Sequence, residues 1–216
     1  MMKLAILGAT GRTGVHLVEQ ALEEGHEVVA IVRTPSKVTT EHENLKVVSG
    51  DITSTASLKE HFEGCDAVVS CLGAGTLRNV TLYSESIKII VAAMRETSIK
   101  KLVAMTSWGS FSDPNDRGPF LIEWILRPLV LKNVLENMAV METYLKEEAQ
   151  DLDFTTVRPP GLKDGPKTDL EIAHEERNFV GGTATTMLRA DVARFLLQCL
   201  KTDEFNKKWI AIGVKP

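Results

Sequence analysis

Short apolar runs alternate with amphipathic stretches along the first two-thirds of the chain. The apolar runs have the length of β-strands, and they cover residues 3–7, 27–32, 45–49, 67–71, 102–106 and 154–157, with a last one at 209–212. Helical periodicity covers residues 13–24, 57–63, 80–97, 134–150 and 191–200. Because the runs are continuously apolar rather than alternating, each strand should be buried on both faces. The pattern predicts an α/β fold, a single doubly wound parallel sheet of the Rossmann type spanning 1–216.

Two loop-rich segments interrupt this alternation, at about 108–125 and 161–183. Each of them follows the end of a predicted strand. Ligands of open α/β sheets bind outside the carboxyl ends of the strands. We therefore expect these loops, with a small C-terminal region, to contact the substrate.

Composition and charge narrow the class of protein. The chain has 216 residues, of which 44% are hydrophobic and 25% are charged, the mix of a soluble globular protein. Its net charge of -4 argues against nucleic acid as the main partner, and no apolar run approaches the length of a membrane span. Three cysteines without paired spacing predict reduced thiols, no metal site and a cytoplasmic location.

A glycine-rich turn joins the first predicted strand to the first predicted helix. Gly8 permits a tight exit from the strand, Gly11 lets the backbone approach a pyrophosphate, and Gly14 allows the helix to pack closely on the sheet. The helix N-terminus adds free N–H groups and positive partial charge. The spacing is GxxGxxG rather than GxGxxG, but its strand–turn–helix setting favours a dinucleotide site over a plain turn. The same site would include the intervening residues Thr10, Arg12 and Thr13.

The end of the second predicted strand indicates which dinucleotide binds. An acid at this place binds the ribose 2′-hydroxyl of NAD, whereas a 2′-phosphate requires cations. This chain has Arg33, Ser36 and Lys37 there and no acid, and Arg12 could also reach the phosphate. NADP(H) is the favoured cofactor, and a solvated basic turn is the alternative.

Two further strand ends contribute candidate cofactor contacts. Asp51 and Ile52 follow the third strand, where the carboxylate would lie beside the adenine or else serve a turn or helix cap. Cys71, Leu72 and Gly73 follow the fourth strand, where the chain would pass the ribose and pyrophosphate or form an ordinary loop.

The chain resembles the atypical short-chain dehydrogenase/reductase superfamily over nearly its whole length. The closest similarity is to the group of biliverdin-IXβ reductase, or NADPH-dependent flavin reductase, and its NmrA-like relatives. The segments that carry the resemblance are GATGRTG at 8–14, VRTPSK at 32–37, GDIT at 50–53, CLGAG at 71–75, MTSWGS at 105–110, VRPPGLKDGP at 157–166 and RADVARFLLQCL at 189–200.

This resemblance implies an NADPH-dependent reductase that transfers a hydride to a flavin or to a bilin such as biliverdin. It places Ser107 beside the nicotinamide as the catalytic residue, and Thr106 and Pro159 against the cofactor; the alternative for Ser107 is a strand-end serine bonded to backbone. The superfamily's usual Tyr-x-x-x-Lys pair is absent, because Ile87 and Glu148 follow the two tyrosines at that spacing. The reductase group also carries a histidine where this chain has Gly161, so that role does not carry over.

A planar acceptor, such as a flavin, bilin or quinone, would suit an open apolar site. Trp108, Phe111 and Trp124 are the candidate substrate contacts, and core packing is the alternative for each. The apolar stretch 120–131 could be a lid, a packed helix or an association surface, and we expect a monomer or weak dimer. A non-catalytic, NmrA-like protein that senses NADP(H) is the rival function, and an epimerase is less favoured because the tyrosine is missing.

Overall fold

The computed structural model describes residues 1–111, 113, 116, 118–120 and 122–215, and between 122 and 131 it describes the side chains of 125 and 128–131. The strands are β1 (Lys3–Leu7), β2 (Glu27–Val32), β3 (Leu45–Ser49), β4 (Ala67–Ser70), β5 (Lys101–Met105), β6 (Asp153–Arg158), β7 (Gly161–Lys163), β8 (Ile172–Glu175), β9 (Thr186–Leu188) and β10 (Lys208–Val214). The α-helices are α1 (Arg12–Glu23), α2 (Thr55–Phe62), α3 (Leu82–Glu96), α4 (Lys132–Glu148) and α5 (Arg189–Leu200).

Eight of the strands form one sheet in the order β3-β2-β1-β4-β5-β6-β10-β8. All neighbours pair in parallel except β8, which runs antiparallel to β10 at the edge. The strand order reverses between β1 and β4, which creates a crevice at the carboxyl ends of these two strands. The predicted doubly wound α/β fold is confirmed.

Helices cover both faces of the sheet, which is why its strands are apolar throughout. Leu4 and Ile6 of β1 pack in the core under α1 and α5, whereas Ala5 and Leu7 pack in the core under α2, α3 and α4. We call the second side the α4 face. Both cores meet the same strands from opposite sides, so the strand ends are held rigidly where the crevice opens.

The segment predicted as a loop at 161–183 contains more structure than its sequence indicates. β7 pairs in parallel with β9, and β8 joins the edge of the main sheet. These strands have only three or four residues each and carry no apolar run, so no periodicity marks them. The segment is therefore tied to the rest of the fold.

The apolar stretch at 120–131 is largely a π-helix, Ile122–Leu131, that leads into α4. Pro128 lies inside it and has no N–H group for a regular α-helical ladder. Leu129 and Val130 are exposed. In the part of the chain that the structure describes, no helix has both the length and the apolar character needed to cross a bilayer.

Candidate cofactor site

A cavity of about 670 Å³ opens in the crevice between β1 and β4. Most of its lining lies at the carboxyl ends of β1 to β5, which are far apart in sequence, and α3, α4, β7 and α5 add one residue each. The sequence-predicted site residues that it brings together are Gly8, Thr10, Gly11, Arg12, Thr13, Arg33, Lys37, Ile52, Cys71, Leu72, Gly73, Thr106 and Ser107. The topology thus places most of the predicted cofactor contacts around one cavity.

The glycine turn forms a cradle that side chains would fill. Gly8 has a φ of 79°, and a Cβ added there would lie 2.6 Å from the Cys71 carbonyl oxygen. A Cβ on Gly14 would lie 2.1 Å from the Gly8 carbonyl oxygen, so the glycine brings α1 against the strand end although it does not line the cavity. Gly11 caps α1 without a side-chain hydrogen bond, and the first turn carries no acid. The N–H groups of α1 are thus free for a phosphate, which fits a dinucleotide.

Two cations lie at the end of β2. Arg33 and Lys37 both line the cavity, and neither forms an ion pair within the described residues. Ser36, between them, is exposed on the Pro35–Lys37 turn and does not line the cavity. Of the three residues predicted to bind a 2′-phosphate at the end of β2, the two cations therefore face the cavity and Ser36 does not.

Arg12, unlike Arg33 and Lys37, has a carboxylate partner in the described part of the structure. Asp164, in the loop after β7, forms an ion pair with Arg12 and another with Arg189, whose Nη1 lies 2.7 Å from the Asp164 Oδ1. The hydrogen bond from Arg12, with the charges of both guanidinium groups, lowers the pKa of the Asp164 carboxyl. Arg189, at the start of α5, lines the cavity and was missed from the sequence, because only the fold brings α5 beside α1.

Asp51 and Pro159 do not line the cavity and contribute to local structure instead. The Asp51 carboxylate accepts hydrogen bonds from the backbone and hydroxyl of Thr53, at 2.9 and 2.7 Å, and these bonds lower its pKa. Asp51 therefore stabilises a turn, one of the two alternatives that the sequence left open for it. The residue that caps α2 is Ser54. The Pro159 carbonyl accepts the backbone N–H of Trp108 at 2.9 Å.

The opposite end of the cavity, after β5, carries hydroxyl and apolar groups. Ser107 lines it, half-buried, and its hydroxyl forms no hydrogen bond within the described part of the chain. Met105, Met138 and Leu162 supply apolar surface around it. Met138 is the residue through which α4 meets the cavity, so this helix presents no titratable side chain there.

Tyr83, at the start of α3, also lines this cavity and was not among the predicted site residues. Its hydroxyl accepts the backbone N–H of Ala74 at 3.2 Å, and burial raises its pKa. Asn137 of α4 fixes the start of α3 by accepting the N–H groups of Tyr83 and Ser84. No spacing in the sequence indicates this placement, because it depends on how α3 packs beside the loop after β4.

A buried ion pair supports this end of the cavity. Glu142 of α4 has no exposed surface, and Arg158 at the end of β6 donates to it from Nε at 3.0 Å and Nη2 at 2.7 Å. Thr106 donates to the Glu142 Oε1 at 2.9 Å, and Ser110 donates to Oε2 at 3.0 Å. This one carboxylate therefore joins α4, the end of β5, the loop after it, and β6.

Two of the predicted substrate contacts lie elsewhere in the described structure. Trp108 is 4% exposed, its indole N–H donates to the Ile212 carbonyl at 3.0 Å, and its ring meets Phe179 edge-on; it is a core residue, and this prediction is corrected. Phe111 lies over Arg158, 5.8 Å from its guanidinium carbon, outside the cofactor cavity. The side chain of Trp124 lies outside the described residues.

The cysteines are free thiols, and all three are buried. Cys71 lines the cavity, yet burial raises its pKa from 9.0 to about 12. Since the thiolate is the nucleophilic form, Cys71 contributes shape rather than reactivity to the site. Within the described ranges, no group of three or more His, Cys, Asp or Glu side chains could hold a metal ion.

Comparison with curated proteins finds a reductase and an assembly factor among the relatives. A reductase from Aspergillus terreus is 26% identical over 91% of this chain and 90% of its own length. A photosystem II assembly factor from Synechocystis is 24% identical over 96% of this chain and 61% of its own length. A Bacillus subtilis relative, 29% identical, matches 50% of this chain and 49% of its own length.

Solved structures share the fold closely. A Streptococcus pneumoniae protein, provisionally described as an NADH-flavin reductase, superposes with a TM-score of 0.82 at 27% identity and full coverage of both chains. A Lactococcus lactis oxidoreductase gives 0.82 at 21% identity, covering 99% of this chain and 91% of that one. The model of a family described as NAD(P)H-binding matches residues 8–203. The chain therefore belongs to this NAD(P)H-binding family, and its cofactor is a nicotinamide dinucleotide.

Proposed function

We propose that the protein is an NADPH-dependent reductase whose acceptor is a flavin, a bilin or a similar planar conjugated molecule. The observation that carries the proposal is one cavity with a phosphate cradle and two cations at one end and the Ser107 hydroxyl at the other, the cations without an ion pair and the hydroxyl without a hydrogen bond among the described residues. When bound, the dinucleotide supplies the hydride. The chain supplies binding, orientation and the exclusion of water.

The groups at the Ser107 end suit an acceptor that requires no strong protein acid. The Ser107 hydroxyl can donate a hydrogen bond to the acceptor, and burial raises the pKa of Tyr83, which makes its hydroxyl a weaker acid. Met138 and Leu162 form apolar walls that favour a planar ring system. The proton that accompanies the hydride then comes from water. The relatives described as a reductase and as an NADH-flavin reductase support this class of reaction.

A turnover assay tests the proposal. Purified protein is mixed with NADPH and with FMN, riboflavin, biliverdin or a quinone, and the loss of the reduced nicotinamide band is followed. We expect catalysed oxidation with at least one acceptor, and a kcat/KM that falls by about tenfold to a hundredfold in Ser107→Ala, the loss of one oriented donor. Ser98→Ala, at an exposed serine between α3 and β5 and outside the cavity, is the matched control. Oxidation no faster than the uncatalysed rate with every acceptor contradicts the reductase proposal.

Cofactor selectivity gives a second prediction. Arg33→Asp places a negative charge where we propose that the 2′-phosphate binds, so NADPH affinity should fall by about thirtyfold or more, or roughly 2 kcal/mol, while NADH affinity changes little. Fluorescence titration with each reduced dinucleotide measures both values. Lys46→Asp, an exposed cation on β3 outside the cavity, serves as the control. Equal losses for the two dinucleotides would mean that Arg33 is only a solvated turn residue.

A non-catalytic sensor of NADP(H) is the second candidate function. It is favoured by Met138, which leaves α4 without a titratable group in the cavity, and by the relative described as a photosystem II assembly factor. A sensor would bind oxidised and reduced NADP with different affinity and would co-purify with a partner protein. Turnover in the assay above distinguishes the reductase from this alternative.

A further inference from the structure

Positive charge on the cofactor cavity is not confined to the end of β2. Among the described residues, the charged side chains that line the cavity are Arg12, Arg33, Lys37 and Arg189, and no carboxylate lines it. Arg33 and Lys37 follow β2, whereas Arg12 is the first residue of α1 and Arg189 the first residue of α5. Two separate pairs of cations therefore line one cavity, and the contacts proposed for a 2′-phosphate use only the pair after β2.

The second pair, Arg12 and Arg189, belongs to the flank of the cavity away from β2. Helix α5 packs against α1 on the side of the sheet opposite the α4 face, and it also contacts β5. In the sheet, β2 and β5 lie on opposite sides of β1. The buried Gln20 amide of α1 donates to the Ala190 carbonyl at 2.9 Å, which fixes the start of α5 against α1. Arg189 therefore reaches the cavity from the β5 side.

A single carboxylate from outside the lining joins these two arginines. Asp164, in the loop after β7, forms an ion pair with Arg12, and its Oδ1 lies 2.7 Å from the Arg189 Nη1. Two guanidinium groups that share the oxygens of one anion also form a suitable site for a phosphate group, since arginine binds carboxylate and phosphate with the same planar set of donors. Asp164 thus marks a position where both arginines can bind an anion.

The contact with Asp164 is exposed enough to be replaced by a ligand. The side chains of Asp164 and Arg12 are 57% and 69% exposed, and pairs in such positions contribute little to stability because water and salt screen them. The side chain of Arg189 is only 12% exposed. The carboxylate can therefore turn into solvent, whereas the more buried guanidinium group gains by binding another anion in its place.

We infer that Arg12 and Arg189 bind the pyrophosphate of the dinucleotide, and that Asp164 occupies this subsite without cofactor and is displaced when the dinucleotide binds. Arg12 begins α1, whose N–H groups form the anion site at the same end of the helix, and pyrophosphates bind at such helix ends. The 2′-phosphate is instead assigned to the cations after β2. The inference rests on the dinucleotide cofactor and not on the identity of the acceptor.

Calorimetric titration without any acceptor tests the role of Asp164. NADPH, NADH and ADP-ribose all contain a pyrophosphate, and only NADPH has a 2′-phosphate. Asp164→Asn keeps the size of the side chain and removes the competing charge, so we expect all three to bind about threefold to fivefold more tightly. Asp169→Asn is the matched control, because Asp169 is exposed in the same loop, lies outside the cavity and forms no ion pair among the described residues.

Arg189→Met tests the subsite directly. It removes one charged donor from the pyrophosphate, so NADPH, NADH and ADP-ribose should all bind about tenfold more weakly. Met retains apolar packing, and the exposed Asp164 stays solvated, so the variant should fold normally, which thermal unfolding checks. Lys201→Met is the control: it also removes a cation paired with a carboxylate, that of Glu24 at 2.9 Å, but outside the cavity.

Three results would overturn the inference. Weaker binding in Asp164→Asn would show that the carboxylate positions the arginines rather than competes with the ligand. A change confined to NADPH would assign the arginines to the 2′-phosphate. Equal affinities in Asp164→Asn and Asp169→Asn would show that the contact with the arginines has no part in binding. Because no titration uses an acceptor, a protein that binds all three compounds as expected and lacks turnover would contradict the reductase proposal alone.

Discussion

Glu142→Gln is expected to lower the free energy of unfolding by about 3–5 kcal/mol, which is a large part of the stability of most domains. The substitution keeps the size of the side chain and removes its charge. Arg158, only 5% exposed, would then keep a buried positive charge with no carboxylate to balance it. The hydroxyls of Thr106 and Ser110 would also lose a charged acceptor. Urea unfolding followed by circular dichroism measures the change.

The same helix provides the control for this prediction. Glu136 pairs with Lys132 one turn away at 3.9 Å, and both side chains are 64% exposed, so Glu136→Gln should change stability by no more than about 0.5 kcal/mol. The double variant Glu142→Leu/Arg158→Met removes both buried charges and should recover much of the loss. Similar stabilities for Glu142→Gln and Glu136→Gln would show that the buried pair has no special role.

Gly14→Ala should abolish dinucleotide binding at micromolar cofactor and destabilise the fold by about 2 kcal/mol or more. The new methyl group would lie 2.1 Å from the Gly8 carbonyl oxygen, and both atoms belong to rigid backbone regions, so α1 would have to move away from the end of β1. That movement displaces the N–H groups that we propose bind the pyrophosphate. Fluorescence titration and thermal unfolding measure the two effects.

Gly181→Ala is the control for the Gly14 substitution. A Cβ at Gly181 meets no heavy atom within 4 Å, and its φ is not positive, so both stability and cofactor affinity should stay near the wild-type values. Normal dinucleotide binding by Gly14→Ala would mean that the close contact between α1 and β1 is not required for the site.

The parts of the fold that could be predicted are those that local sequence determines. β1, β2 and β3 have the predicted bounds, because each is a continuous apolar run between turns. The pairing of β8 with β10 joins residues about forty positions apart and rests on backbone hydrogen bonds that no short pattern encodes. The ends of α1, α2 and α4 differ from prediction by one or two residues, as helix ends commonly do.

The candidate site also contains residues that local sequence predicts and residues that only the fold brings together. Gly8, Gly11 and Gly14 could be predicted because one turn contains the whole cradle. Tyr83 was considered only in the Tyr-x-x-x-Lys spacing, whereas the structure brings it to the cavity from α3. Trp108 follows a strand end as substrate contacts often do, but Phe179 from the 161–183 segment covers it, and no local pattern indicates that contact.

The carboxylate shared by Arg12 and Arg189 has a consequence for the effect of ionic strength. Because Asp164 already neutralises part of their charge, a phosphate that approaches these arginines must compete with it. Added salt screens the attraction of the phosphate, and it also weakens the exposed pair that opposes binding. The two effects act in opposite directions. Cofactor affinity should therefore fall less steeply with salt concentration than it would if Arg12 and Arg189 were both free to bind the phosphate.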